Sequence, residues 1–406
     1  MTLTRDDHVI VVGGGLAGWR FCEFARRAGF EGRLSVVSDE THPPYDRPPL
    51  SKQVLTGKWP SDQTTLATAD AHLAAHVELR LGQAATALDV ATRTVSLADG
   101  TSLTGTHVVI ATGVRARQLP FSAAGAIHSL RSRDDTERVL AAVERLTEGD
   151  LAVVIGWGFI GAEVATSLKT RGLRVVVLEA AERPLIGALG PTASAWLSEL
   201  ASGAGVELRN GETVHDVEIH EGRFVVRTGD GDLDAGIVVV GAGSAVNTEW
   251  LSGCGLRVDN GVVVDEHFQA AANIAAIGDV ARFPFRHAGG EAVVRIEHWQ
   301  VANDHASALA DWWVSGVEPH AMVPYFWSDQ YGKKIQMLGH PSPHDEIQMV
   351  QGSVEEGRWL ALYSNAAGTV TGVLSLSQPR WLMVSKVLLD QVTTTEQALA
   401  QAPWSA

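Results

Sequence analysis

Apolar residues in this chain come in short runs that stop at glycine. The run HVIVV (8–12) ends at Gly13, Gly14 and Gly15, and apolar positions from Leu16 to Ala28 then recur at helical intervals. This predicts a strand, a tight turn and a helix. A second strand, RLSVVSDE (33–40), ends in acid. The pattern returns mid-chain as strand LAVVIG (151–156), a turn at Gly156, Gly158 and Gly161, helix AEVATSLKTRG (162–172) and strand RVVVLEA (174–180). Two further runs, THVVIATG (106–113) and NIAAIGDVA (273–281), read as buried strands closing into small-residue turns. The longest apolar stretches are strand-length, so no membrane span is expected.

The spacing of the glycines has a mechanical basis. Gly13 makes the turn, Gly15 lets a pyrophosphate approach the backbone, and Gly18 lets helix pack on strand, with Leu16 and Ala17 opening the helix. Asp39 or Glu40, 21 or 22 positions after Gly18, stands where an acid meets a ribose hydroxyl. The second turn, Gly156-Trp157-Gly158-Phe159-Ile160-Gly161, is followed 18 positions on by Glu179. Two such units imply two dinucleotides. A carboxylate at the second site favours NAD, because the 2′-phosphate of NADP would meet a like charge; Arg183 lies four positions further on. Asp279 at the end of its strand suits a polyol, or equally a helix N-cap.

Composition narrows the classes. With 406 residues, 45% hydrophobic and 19% charged, the chain is globular and long enough for two or three domains. A formal charge of −15 argues against nucleic-acid binding. Cys22 and Cys254 form no CxxC pair, and the first eight residues are polar and acidic, unlike a presequence; a cytoplasmic protein is expected. His72 and His76 have a zinc-compatible spacing but no third ligand nearby, so they read as a surface helix and no metal is expected.

Taken together, the two glycine turns, Ala111-Thr112-Gly113 and Gly278-Asp279 resemble the two-dinucleotide flavoprotein reductases. PPYDRPPLSKQVLTG (43–57), GFIGAE (158–163), RIEHWQVANDHA (295–306) and VPYFWSDQYGKKIQMLG (323–339) are similar to the ferredoxin reductases of bacterial oxygenase systems. The resemblance covers nearly the whole chain with its motifs in order. It implies an α/β flavoprotein with two Rossmann-type domains. An FAD domain would be split over 1–115 and 243–320, an NAD domain would occupy 116–242, and a C-terminal α/β domain 321–406. The first turn would hold FAD and the second NADH. Electrons would leave singly to a small iron–sulfur ferredoxin that feeds a Rieske dioxygenase or a cytochrome P450. A monomer and a weak homodimer both stay open.

The resemblance also assigns roles that residue chemistry alone leaves open. Lys52, by itself a surface charge, would lie beside the flavin, with Glu163 orienting it and Arg47 steadying the diphosphate. Glu297, His298 and Trp299 would present a helix start to the flavin, and Trp327, otherwise a core residue, would stand on the partner side. Apart from the resemblance, the basic pair Lys333 and Lys334 reads as solvated charge, or, on a chain of net charge −15, as a docking point for an acidic ferredoxin. Trp157 departs from the small residue expected between the first two glycines of an NAD turn. A ring pointing outward would be tolerated there; one pointing inward would weaken NADH. GAGSAVN (241–247) lacks the proline usual before the asparagine. The rival readings are an NADH oxidase or peroxidase, and a redox-sensing protein like apoptosis-inducing factor.

Overall fold

The computed structural model describes residues 2–66, 76–288 and 290–405. His72 lies outside the described residues, so the histidine pair has no structural account.

Both glycine-turn units form, and each sits in the middle of its own sheet. In the first, His8–Val12 lies between Arg33–Val37 and His107–Ile110, parallel to both. Glu78–Arg80 extends one edge; Ile274–Ala276 and the antiparallel Gln269–Ala271 extend the other. In the second, Leu151–Ile155 lies between Arg174–Glu179 and Ile237–Val240, with Glu207–Asn210 and His128–Ser129 at the edges, all parallel. The central strands are apolar throughout because helices cover both faces of such sheets. The chain crosses between the sheets twice, through Val114–Ala116 and Ser244–Val246, which pair antiparallel.

The chain from Tyr325 onward builds a different layer. Tyr325–Gln330, Lys333–Gly339, Val370–Leu376, Arg358–Ser364 and Glu346–Ser353 form an antiparallel sheet in that order, followed by three short helices from Pro379 to Gln401. This layer is the expected C-terminal domain of strands and helices, with the strands preceding the helices along the chain. This sheet is not free-standing. Leu189, Ala193 and Leu197, from the helical segment after the second unit, share a buried cluster with Phe326, Met337 and Trp359.

Candidate dinucleotide and electron-transfer site

At the first turn, the helix Leu16–Arg27 begins at Gly15 with no side-chain cap and no acid in its first turn. Its leading N–H groups are therefore free for an anion. A Cβ on Gly18 would lie 2.1 Å from the Gly13 carbonyl, so that glycine is obligatory for packing. A Cβ on Gly15 would meet nothing nearer than Arg47 Nη2, at 3.9 Å. That open, cationic cradle fits a diphosphate.

Arg47 is fixed from three sides. It pairs with Glu40 and donates to Tyr45 Oη at 3.0 Å and to the Arg131 carbonyl at 2.7 Å. Glu40 also accepts from Tyr45 Oη. Asp39 is exposed. The strand registers, Val12 on Val37 and Ile155 on Leu178, make Ser38 the counterpart of Glu179, with Asp39 and Glu40 one and two residues beyond.

The closing turns converge on the same place. Gly13 stands against the Ala111 carbonyl, and Thr112 Oγ1 donates to the Asn247 carbonyl at 2.8 Å while Asn247 Nδ2 donates back to the Thr112 carbonyl at 2.9 Å. The asparagine makes this clip without a preceding proline. Asp279 accepts from Arg131 Nη2 at 2.9 Å, and Arg131 Nε donates to the Val114 carbonyl next to Gly113. Sequence reasoning missed Arg131. An isolated arginine in a loop carries no motif, and its partners lie 17 and 148 residues away.

His305 was missed as well. It is fully buried, and its Nδ1 accepts from the Gly278 N–H at 3.2 Å, which requires a neutral ring. Burial pushes its pKa down to about 3. His298, the residue before helix Trp299–Ser315, is likewise driven down to about 4 by burial, with His340 adding to the effect. Among the described residues its buried Nδ1 has no partner, which suits a hydrogen-bonding cofactor edge. Trp299 Nε1 donates to Asp46 at 2.6 Å, and its ring meets Trp327 edge-on at 5.9 Å. Glu297 is exposed and accepts from Ser244 Oγ and Arg295 Nη1, each at 2.6 Å.

Lys52 and Glu163 meet. Lys52 Nζ lies 2.7 Å from Glu163 Oε2, with both side chains largely buried. Ser51 Oγ donates to the same oxygen at 2.5 Å; Ser328 Oγ at 2.6 Å and the Asp329 N–H at 3.3 Å donate to Oε1. Hydrogen bonds of this kind satisfy both oxygens of a carboxyl group that is only 2% exposed. Ser328, invisible in the sequence, brings the C-terminal sheet into the pair.

The second turn opens on a cavity of about 650 Å³ lined by Gly156, Trp157, Gly158, Glu179, Arg183 and Gly243, among others. Helix Phe159–Thr170 starts at Gly158, again uncapped, and includes Ile160 at its exposed N-terminal turn. It begins three residues before the stretch the sequence suggests. Gly161 packs against the Gly156 carbonyl as Gly18 does against Gly13. Glu179 accepts from the Trp157 N–H at 2.7 Å and the Ala181 N–H at 2.9 Å. Each oxygen keeps a lone pair for a ribose hydroxyl. The Trp157 ring is 1% exposed, in a cluster with Leu50, Val54 and Leu55. These residues fit an NAD(H) molecule.

Residues 7–306 match the family described as pyridine nucleotide-disulphide oxidoreductase. The chain belongs to this family. Residues 325–404 match a second family, described as reductase C-terminal. Rhodocoxin reductase of Rhodococcus erythropolis is 35% identical, over 96% of this chain and 91% of that protein. Putidaredoxin reductase of Pseudomonas putida is 34% identical, over 96% and 94%. The crystal structure of a covalent putidaredoxin reductase–putidaredoxin complex contains a chain that superposes with a TM-score of 0.89 at 31% identity, covering 99% of this chain and 100% of that one. The protein is thus an oxidoreductase of the ferredoxin reductase group, with FAD and NAD(H) as its cofactors.

Proposed function

We propose that the protein is an NADH-dependent ferredoxin reductase working in the cytoplasm and supplying an oxygenase through a small iron–sulfur ferredoxin. The observation that carries the reading is the Lys52–Glu163 pair, which ties the two glycine-turn units and the C-terminal sheet together. Bound FAD supplies the exchange of a two-electron hydride transfer for single-electron release. The chain's own residues hold and polarise. Gly15, the free N–H groups of Leu16 and Ala17, and Arg47 would bind the FAD diphosphate; Asp279, oriented by Arg131 and His305, would take its polyol. Glu163 keeps the Lys52 ammonium buried and aimed, so a fixed positive charge stands ready where negative charge develops. Gly156, Gly158 and Gly161 would hold NADH, with Glu179 on its ribose.

We read 1–115 with 243–320 as the FAD domain, 116–242 as the NAD domain and 321–406 as the partner side. The thiols count against disulfide or peroxide chemistry: both cysteines are free, and burial pushes Cys22 up to about 12. The test is NADH oxidation by the FAD-loaded protein with cytochrome c as final acceptor, with and without a purified oxygenase ferredoxin. Turnover should require the ferredoxin. Equal NADH consumption without it, at the expense of oxygen, would turn the assignment to an oxidase.

A further inference from the structure

Trp157 occupies the position that Gly14 holds in the first unit, yet its indole is among the largest fully buried side chains of the molecule. Its backbone and side chain do different things. The N–H donates to Glu179, and the residue lines the NAD(H) cavity, while the ring packs edge-on against Tyr331 at 6.2 Å. Tyr331 is the tip of the hairpin between Tyr325–Gln330 and Lys333–Gly339, held at a φ of +52°.

That hairpin runs along the second turn's helix in a regular series of contacts. Phe326 packs on Phe159 with ring centroids 4.5 Å apart, Ser328 Oγ reaches Glu163, and the Tyr331 N–H donates to Thr166 Oγ1 at 3.2 Å. Positions 159, 163 and 166 share one helix face, and 326 and 328 share one face of the strand. Trp157 adds a contact from the turn itself. Among the described residues its Nε1 has no hydrogen-bond partner, so packing alone holds the ring in place.

We propose that Trp157 is a positioning residue: its ring, wedged on Tyr331, fixes the NAD(H) turn to the C-terminal hairpin, so that nucleotide at the turn and order in the hairpin rise together. This rests on residues 156–161 being the NAD(H) turn. Linkage makes the effect reciprocal: a partner that orders the hairpin tightens the nucleotide by the same factor.

Amide exchange of the FAD-loaded protein, followed by mass spectrometry with and without NAD+, tests it. In the wild type and in Trp157→Phe, NAD+ should slow exchange both at 156–163 and at 330–333. In Trp157→Ala and Tyr331→Leu, slowing at 156–163 should persist with affinity weaker by about 5-fold or more, and slowing at 330–333 should vanish. Tyr331→Leu breaks the contact from the hairpin side, should Trp157→Ala fail to fold. Hairpin slowing that survives in the folded variants, or never occurs in the wild type, overturns the coupling alone. Saturating NAD+ without slowing at 156–163 overturns the turn assignment and the coupling with it.

Discussion

Glu163 accepts from Ser51, Lys52, Ser328 and the Asp329 N–H, so its place is set by four donors from outside its helix. Glu163→Gln can still bond the serines but takes from the buried ammonium of Lys52 its ion-pair partner. A broken buried pair costs about 3–5 kcal/mol, so denaturant unfolding should show a loss of that order. Lys52→Ala should retain FAD yet slow flavin reduction by NADH about 10-fold or more, the scale of one charged hydrogen bond. Wild-type stopped-flow rates would make Lys52 an ordinary buried cation. Among the histidines that burial depresses, His298 and His305 are shifted furthest and give a pH signature of definite sign. Unfolded, His298 and His305 titrate near 6.5; folded, near 4 and 3. Above 6.5 both states are neutral and stability is full. As pH falls below 6.5 the unfolded chain takes up protons first, and stability falls by up to about 1.4 kcal/mol per pH unit for each ring. Scanning calorimetry from pH 7 to pH 4 should show the loss, and His305→Gln should make it shallower. An unchanged slope in that variant would mean the loss comes from other groups.

At the scale of elements, the strand–turn–helix units were legible because their signal is local: a strand-length apolar run, glycines at fixed spacing, and a helical period. The two turn glycines separate packing from binding. Gly18→Ala drives a methyl onto the Gly13 carbonyl and should prevent stable folding, whereas Gly15→Ala has room in the protein and places its methyl in the cradle. Gly15→Ala should therefore unfold near the temperature of the FAD-free wild type but purify with much less FAD than the wild type, checked by calorimetry and absorbance. A yellow Gly15→Ala protein would move the diphosphate elsewhere. The acids were less legible. Glu179 ends its strand and faces the turn, but Ser38 holds the matching place in the first unit, and Glu40 is engaged by Arg47 and Tyr45. Counting residues from the glycine cannot see that register. Glu179→Ala should narrow the preference for NADH over NADPH by about 10-fold, and equal kcat/KM for both cofactors in the wild type would contradict the role. Arg131, His305 and Ser328 escaped notice for one reason: each acts through a partner distant in sequence, on a background of common residue types.

At the scale of the whole molecule, the two nucleotide turns and the C-terminal sheet form one body, and the question is where electrons leave it. Trp327 lies on the strand face opposite Phe326 and Ser328, its ring stacked on Tyr325 at 5.9 Å and edge-on to Trp299. The aromatic line Trp299–Trp327–Tyr325 thus runs from the start of helix Trp299–Ser315 to the edge strand of the C-terminal sheet. The basic pair beside it is divided. Lys333 Nζ is bound to the Gly357 carbonyl at 3.0 Å, whereas Lys334 is half-exposed and only loosely paired with Asp329, at 3.7 Å. Lys334 is therefore the residue free to meet an acidic partner on a chain of net charge −15. Such rim charges act mainly on association rate and salt dependence. Lys334→Glu should raise the KM for ferredoxin and flatten its dependence on ionic strength, with NADH-to-ferricyanide activity intact, since that small acceptor needs no docking face. Lys333→Glu would also break a contact inside the sheet, so its loss should extend to stability. Trp327→Ala should lower ferredoxin reduction more than ferricyanide reduction if the aromatic line is the exit. Equal losses with both acceptors would make Trp327 a support for the flavin site, and the exit would then have to lie on another face.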